Sequence, residues 1–313
     1  MIVFGQFSRF LKLLFTLGVV ILLFSSGCGE DVDTKLIDFS DTVATPQPSE
    51  TEMYGEPLRV AVGAMISPKE TIGYYRQVLD YIGRHLGKPI RLIQRKTYAE
   101  INELFSKGKI DLGFICSGPY ATQKKEYGFE LLATPWVNGS PYYYSYLIVK
   151  KDSPIVSLEG LRGKVFAFTD PDSNTGKLVP VYWLAKLGET PETLFKKTLY
   201  TYSHDNSILA VAKGLVDGAC VDSLIWEYYN RKNPVFTSKT RIIKKSKPYG
   251  IPPLVASTHT PEMLRQQARQ LLLSMHEDQE GQTILKELMI DRFEPGQEKW
   301  YQSIREMKET VVQ

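Results

Sequence analysis

An internal repeat constrains this chain more than any other feature. Lys107-Gly108-Lys109-Ile110-Asp111 recurs about 106 residues later as Lys213-Gly214-Leu215-Val216-Asp217, and each copy leads into a short apolar stretch. Glycine after lysine suits a left-handed helix stop, so each copy reads as helix, stop, strand. Ungapped, the repeat sets Ile115-Cys116-Ser117 beside Val221-Asp222-Ser223, two strand ends in equivalent places. The sequence around the first copy agrees. Leu58–Val62 alternates as a strand, a helical stretch runs from Lys69 to Leu86, and a strand (Ile90–Ile93) and a helix (Tyr98–Lys107) follow. Alternating strands and helices with short loops predict an α/β fold with mainly parallel sheets flanked by helices. Ligands bind such sheets beyond the carboxyl ends of the strands. Two facing lobes would line one cleft at a hinge, the shape of a hinged binding protein.

The chain is expected to cross between lobes near Tyr142–Lys150 and to return near Arg241–Pro253. That assigns 57–148 plus 244–313 to lobe 1 and 149–243 to lobe 2. Helices beginning near Pro261, Gly281 and Gln297 would cover the first lobe.

Residues 1–27 have the form of a secretory signal: Arg9 and Lys12, no acids, then the apolar run Leu13–Phe24. That run is shorter than the roughly 20 residues needed to span a bilayer. Leu23-Phe24-Ser25-Ser26-Gly27-Cys28 resembles a bacterial lipoprotein signal, with Ser25 where the usual leucine stands. This makes Cys28 the lipidated residue and places the protein outside the cytoplasm, periplasmic or at the cell surface, anchored to a membrane by lipid. A simple cleaved signal and an uncleaved anchor are the alternatives. Residues 28–56, acidic and weakly patterned, read as a flexible linker.

Charge becomes informative once these segments are set apart. The whole chain carries 38 basic and 35 acidic side chains; the first 56 residues hold three and eight of them, leaving 35 against 27 over the rest. A body near +8 favours anionic ligands, although a scattered solvated surface would give the same figure. No Cys/His cluster has zinc spacing, and no basic run is interleaved with aromatics, so no metal, no cofactor and no nucleic acid is expected. Three cysteines cannot build a disulfide scaffold. Cys116 and Cys220 read as buried free thiols, with a disulfide between lobes as the alternative.

Three loops carry the candidate ligand contacts. The strand Lys164–Phe168 runs into Thr169-Asp170-Pro171-Asp172-Ser173-Asn174-Thr175-Gly176 and then a helix. Small hydroxyl and amide side chains at a helix start can converge on an anion's oxygens, or simply cap the helix. Tyr202-Ser203-His204-Asp205-Asn206 offers His204 at a second helix start, where it is either a donor or a capping residue. Asp222, at the strand end defined by the repeat, can accept a proton from an oxyanion, pair with an amine, or cap the helix after Ser223. Ser117 is its neighbour across the repeat. Of Tyr142-Tyr143-Tyr144 only one strand face can meet a ligand; Tyr143 is the choice, against a core or hinge role. Met65, after the first strand, is either cleft floor or packing.

Asp170-Pro171-Asp172-Ser173-Asn174-Thr175-Gly176 with Leu178-Val179-Pro180, Ser203-His204-Asp205 and Val216–Ser223 resemble the phosphate/phosphonate-binding protein family of ABC importers. The similarity runs from about Pro57 to Arg305 and includes Phe114–Tyr120 and Gly139–Tyr143. The resemblance implies a two-lobed type II periplasmic-binding fold that clamps a small oxyanion and delivers it to ABC permease subunits. It implies that the Ser/Thr turn binds phosphorus oxygens, that the histidine and aspartate line the pocket, and that first-lobe tyrosines close over the ligand. Those roles fall on Ser173, Asn174, Thr175, His204, Asp222 and Tyr120. Asn174 stands where phosphonate binders usually have a hydroxyl residue, and Cys116-Ser117 where they more often have Gly-Pro. Phosphate, phosphite, a phosphonate and other small anions therefore remain open as ligands. So does an extracytoplasmic sensor of the same fold, signalling to a histidine-kinase-type partner. No Gly-x-Ser-x-Gly elbow presents Ser173 for hydrolysis, which argues against an enzyme.

Overall fold

The computed structural model describes residues 55–312; the signal segment and Cys28 lie outside the described residues. The first lobe begins with β1 (Leu58–Val62), α1 (Pro68–Leu86), β2 (Ile90–Ile93), α2 (Tyr98–Ser106), β3 (Leu112–Phe114) and α3 (Ser117–Tyr127). β4 (Phe129–Trp136), β5 (Tyr142–Tyr143) and β6 (Ser145–Lys150) lead to the second lobe. There follow β7 (Val165–Phe168), α4 (Val179–Lys186), α5 (Pro191–Leu194), β8 (Lys197–Tyr200), α6 (His204–Ala212), β9 (Gly218–Asp222), α7 (Ser223–Lys232) and β10 (Thr240–Lys245). β11 (Tyr249–Gly250), β12 (Leu254–Ser257), α8 (Glu262–Ser274), α9 (Gln279–Glu287), β13 (Arg292–Glu294) and α10 (Gln302–Val312) complete the chain.

The repeat is deeper than its sequence signature. Arg59 and Asp111 exchange bonds at the base of lobe 1: the Asp111 N–H donates to the Arg59 carbonyl (2.8 Å), and the Arg59 N–H donates to Asp111 Oδ2 (2.8 Å). Val165 and Asp217, each 106 residues on, do the same at 2.9 and 2.8 Å. In both lobes an aspartate thus satisfies an N–H at the start of one strand and fixes the register of the next. The stop glycines also match, with φ +60° at Gly108 and +70° at Gly214, a region that costs glycine nothing. The helix caps of each lobe pair at the same offset: Ser67 with Ser173, Thr97 with Ser203, Cys116 with Asp222.

Each sheet has a three-stranded parallel centre, β3-β1-β2 in lobe 1 and β9-β7-β8 in lobe 2. Around these the sheets are mixed rather than mainly parallel. β12 runs antiparallel between β3 and β4 with β13 beyond, and in the second sheet β6 lies antiparallel to β9, with β10 antiparallel to β6 at the edge. The antiparallel strands are those the chain lays down as it crosses and returns, after the strand–helix alternation has ended. β6 and β10 both lie in the second sheet, and the two-stranded ribbon of β5 and β11, pairing Tyr143 with Tyr249, forms the crossing. At Gly250 a Cβ would sit 2.9 Å from the Trp300 carbonyl, so only glycine lets the ribbon lie this close.

Side chains from these sheets, such as Val60, Val62, Leu112 and Phe114 in lobe 1 and Leu147, Phe166 and Phe168 in lobe 2, are fully buried. Such burial, at roughly 25 cal/mol per Å² of apolar surface, is the main stabilising contribution in each lobe. α8 and α9 cover the first lobe against α1 and the sheet. α10 differs from expectation: it rests on α3 of lobe 1 and on α4 of lobe 2, with Ile304 and Met307 buried in one cluster with Val179.

Candidate functional site

Every parallel strand is followed by a helix, so the helix N-termini gather where the strands end. N–H groups unpaired in a first turn, and the positive end of the helix dipole, favour an anion there. The two lobes are in contact at these starts. The His204 N–H donates to the Met65 carbonyl (3.0 Å), the Ser67 N–H to Asp205 Oδ1 (2.9 Å), and the Tyr98 N–H to Asp170 Oδ2 (3.2 Å). Gly118 lies so near the second lobe that a Cβ would meet the Asp172 carbonyl at 2.8 Å.

In lobe 2 the Ser173–Gly176 loop widens into a π-type turn over Asn174–Leu178, in which the Leu178 N–H donates to the Ser173 carbonyl (2.9 Å). Such turns recur at functional sites. Ser173 Oγ accepts the Gly176 N–H (3.0 Å), leaving its own hydrogen to donate. Gly176 admits no side chain, because a Cβ would lie 2.3 Å from Thr169 Oγ1. Ser173, Asn174 and Thr175 are all buried. Asn174 reaches across the seam: Nδ2 donates to Ser117 Oγ (3.3 Å) and to the Tyr143 hydroxyl (3.1 Å), which are themselves 2.6 Å apart. Asn174 Oδ1 has no partner among the described residues, and neither has the hydroxyl of Tyr98, although both atoms are buried. Buried polar groups are paired in the great majority of cases, so both atoms are free to meet a ligand's polar groups.

On the other side, His204 Nδ1 accepts the Asp222 N–H (3.1 Å) and lies 3.2 Å from Thr169 Oγ1. Burial pushes the imidazole down to about 3, which keeps it neutral. Asp222 caps α7, its Oδ1 accepting the N–H groups of Leu224 (2.7 Å) and Ile225 (3.4 Å). Burial outweighs those donors and raises its carboxyl to about 7. Burial likewise raises Asp170 to about 6 against the N–H groups of Asp172 and Tyr98. A carboxyl that holds its proton near neutrality donates a hydrogen bond instead of repelling an oxyanion.

Ser117, Tyr143, Ser173, Asn174, Thr175, His204 and Asp222 therefore come together. Tyr120 does not join them: its hydroxyl donates to Glu298 Oε1 (2.6 Å) and its ring packs edge-on against Tyr301 within lobe 1. One turn into α3, it faces the lobe's own core. Cys116 and Cys220 are buried free thiols, both pushed up to about 12 by burial. Tyr98 is the residue that reading from the sequence missed, and the repeat could have found it: 106 residues separate it from His204, and each opens a helix behind a hydroxyl cap. Among the described residues no group of side chains could hold a metal ion.

Two lobes joined by a ribbon, with donors from both meeting at the seam, define a hinged solute-binding protein of the type II periplasmic-binding fold. The chain belongs to the family of ABC transporter phosphonate periplasmic substrate-binding proteins, whose model matches residues 60–301. This is a family of binding proteins, not of enzymes. The phosphonates-binding periplasmic protein of Escherichia coli K12 is 27% identical over 216 residues, 67% of this chain and 63% of that one; the chain thus spans less than two thirds of this relative's length. In structure it is similar to a binding-protein component of an ABC phosphonate transporter from Pseudomonas aeruginosa, with a TM-score of 0.78 at 24% identity over 82% of this chain and 87% of that one. PhnD1 of Prochlorococcus marinus, solved with methylphosphonate, superimposes with a TM-score of 0.72 at 20% identity, covering 82% and 98%.

Proposed function

We propose that this protein is the extracytoplasmic solute-binding component of an ABC importer, capturing a small phosphorus oxyanion by hinge closure. The observation that carries the reading is the seam itself: hydroxyl, amide and imidazole groups of both lobes are buried together at the helix starts, where Asn174 joins Ser117 and Tyr143 across the lobes and keeps its Oδ1 without a partner among the described residues. Ser173, Asn174, Thr175 and Ser117 give hydrogen bonds to the oxygens, His204 donates from its second ring nitrogen, and Asp222 holds a proton toward the anion. Tyr143 positions Ser117 and Asn174. Phosphate, phosphite and phosphonates share the oxygens that such a set recognises. The lipoprotein-like signal supports anchoring through Cys28, which would keep the receptor beside its permease.

Binding to the folded state adds about 2.7 kcal/mol of stability at a hundred times Kd, roughly 5–10 °C in Tm for a body of this size. Thermal unfolding with phosphate, phosphite and methylphosphonate should show that gain. The Thr175→Ala/His204→Ala double variant should lose it while still folding; a retained gain would refute the site assignment.

A further inference from the structure

Asn174 is fixed at both backbone ends and at its amide nitrogen. Its N–H points to Cys116 Sγ at 3.5 Å, and its carbonyl accepts the Val179 N–H as the π-type turn closes. The side chain is fully buried, and Nδ2 meets the Ser117 and Tyr143 hydroxyls at 3.3 and 3.1 Å. A count of hydrogens sets the direction of the amide. The two hydroxyls, 2.6 Å apart, share one of their hydrogens and keep the other. An amide oxygen turned toward them could receive only that one, whereas the nitrogen serves both. Two groups are then left over: one hydroxyl hydrogen, and Asn174 Oδ1, a buried acceptor with no partner among the described residues.

The seam also lacks a countercharge. None of the side chains brought together there is a lysine or an arginine. Lys96 and Lys177, which flank the site loops in sequence, lie over the rings of Tyr202 and Phe168 at 4.3 and 3.8 Å, and Lys308 of α10 acts on Asp172. His204 is neutral, and burial keeps Tyr98, Tyr143 and Cys116 protonated. The acids on the loops, Asp170, Asp172 and Asp222, can only add negative charge. A doubly charged anion buried there would be met by hydrogen bonds and helix dipoles alone.

We infer that the protein captures its solute as the singly charged acid, with one phosphorus oxygen still carrying hydrogen, and that Asn174 Oδ1 selects this form by accepting that hydrogen. The spare hydroxyl hydrogen of the Ser117–Tyr143 pair donates to a bare oxygen of the same solute. The inference rests on the oxyanion reading above and narrows the part of Asn174 in it: the amide nitrogen holds Ser117 and Tyr143, and the amide oxygen meets the solute. An anion of the same shape with no hydrogen to give leaves the acceptor buried and unpaired, with a second oxygen lone pair against it.

Titration calorimetry of the full-length protein with methylphosphonate and methanesulfonate tests this. Methanesulfonate matches the singly charged phosphonate in shape and charge and has no acidic hydrogen. At pH 7 it should bind roughly 10- to 100-fold more weakly. Asn174→Thr and Asn174→Ser, whose hydroxyls either accept or donate, should bring that ratio to within about threefold. The ratio is the readout because both variants also release Ser117 and Tyr143. Difluoromethylphosphonate gives up its second hydrogen at a lower pH than methylphosphonate, so its affinity should begin to fall at a correspondingly lower pH. Asp170, Asp172 and Asp222 titrate alike under both solutes and drop out of that difference. A sulfonate bound as tightly as the phosphonate, a ratio unmoved in both variants, or coincident pH profiles overturns this inference alone. If phosphate, phosphite and methylphosphonate all fail to bind, the oxyanion reading falls and this inference falls with it.

Discussion

The Nδ1 of His204 takes a hydrogen bond from the backbone of Asp222, 3.1 Å away. With Nδ1 an acceptor, the ring hydrogen of a neutral imidazole must sit on Nε2. Burial holds the group down at about 3, so His204 stays a neutral donor at any physiological pH. Its ring proton shifts in an NMR titration should stay constant from pH 5 to 8, where an ordinary histidine turns over. His204→Ala should weaken oxyanion binding roughly 10- to 100-fold, the worth of a hydrogen bond to a charged group.

The same pair sets opposing pH dependences of stability. Asp222 is raised to about 7, so its contribution is full below the ordinary carboxylate value and is lost as pH rises through 7. Asp170, raised to about 6, acts in the same direction. His204 is depressed to about 3, so its contribution is full above the ordinary histidine value and is lost as pH falls toward 3. Between pH 4 and 6 two carboxyls oppose one histidine, so stability falls with pH. Urea unfolding of Asp222→Asn should therefore show a nearly flat profile across that window, and His204→Gln a steeper fall. Each slope totals a few kcal/mol at most.

Tyr98→Phe separates the cost of an orphan hydroxyl from its use. The unliganded variant should be as stable as the parent or more stable by about 1 kcal/mol, because a buried donor without a partner is removed. Its affinity for the oxyanion should nevertheless fall about tenfold or more. Thermal unfolding with and without methylphosphonate reads both effects, and a loss of unliganded stability would contradict the assignment.

The twin aspartates should not be equal. Asp111 receives the Arg59 guanidinium at 2.6 Å as well as its backbone N–H, whereas the bond to Val165 is a backbone one. Asp217→Ala should cost about 1 kcal/mol and Asp111→Ala about 2 kcal/mol, since the latter also takes the carboxylate from the partly buried Arg59 and leaves it the Gly108 carbonyl alone. Chemical denaturation of the two variants checks the order.

Much of this was legible in the chain because helix starts announce themselves. Ser173, His204 and Asp222 follow apolar strands and precede helical runs, and the repeat ties the last of them to Cys116-Ser117. Tyr98 was not legible on local grounds: behind the capping pair Thr97 and Glu100 it looks like any helix opener. Tyr120 went astray for the converse reason, since a motif gives a residue's place in the helix but not the face it turns to Glu298.

α10 touches both lobes, and this changes what kind of machine the receptor is. A ribbon of two strands alone would leave the lobes swinging freely, with the solute as the sole fastener. Ile304 and Met307 wedge the last helix between α3 and α4, so each opening stroke must peel apolar surface from one side of it. The cost of parting the lobes is thus set in part by the packing of this helix, apart from any bond a solute makes.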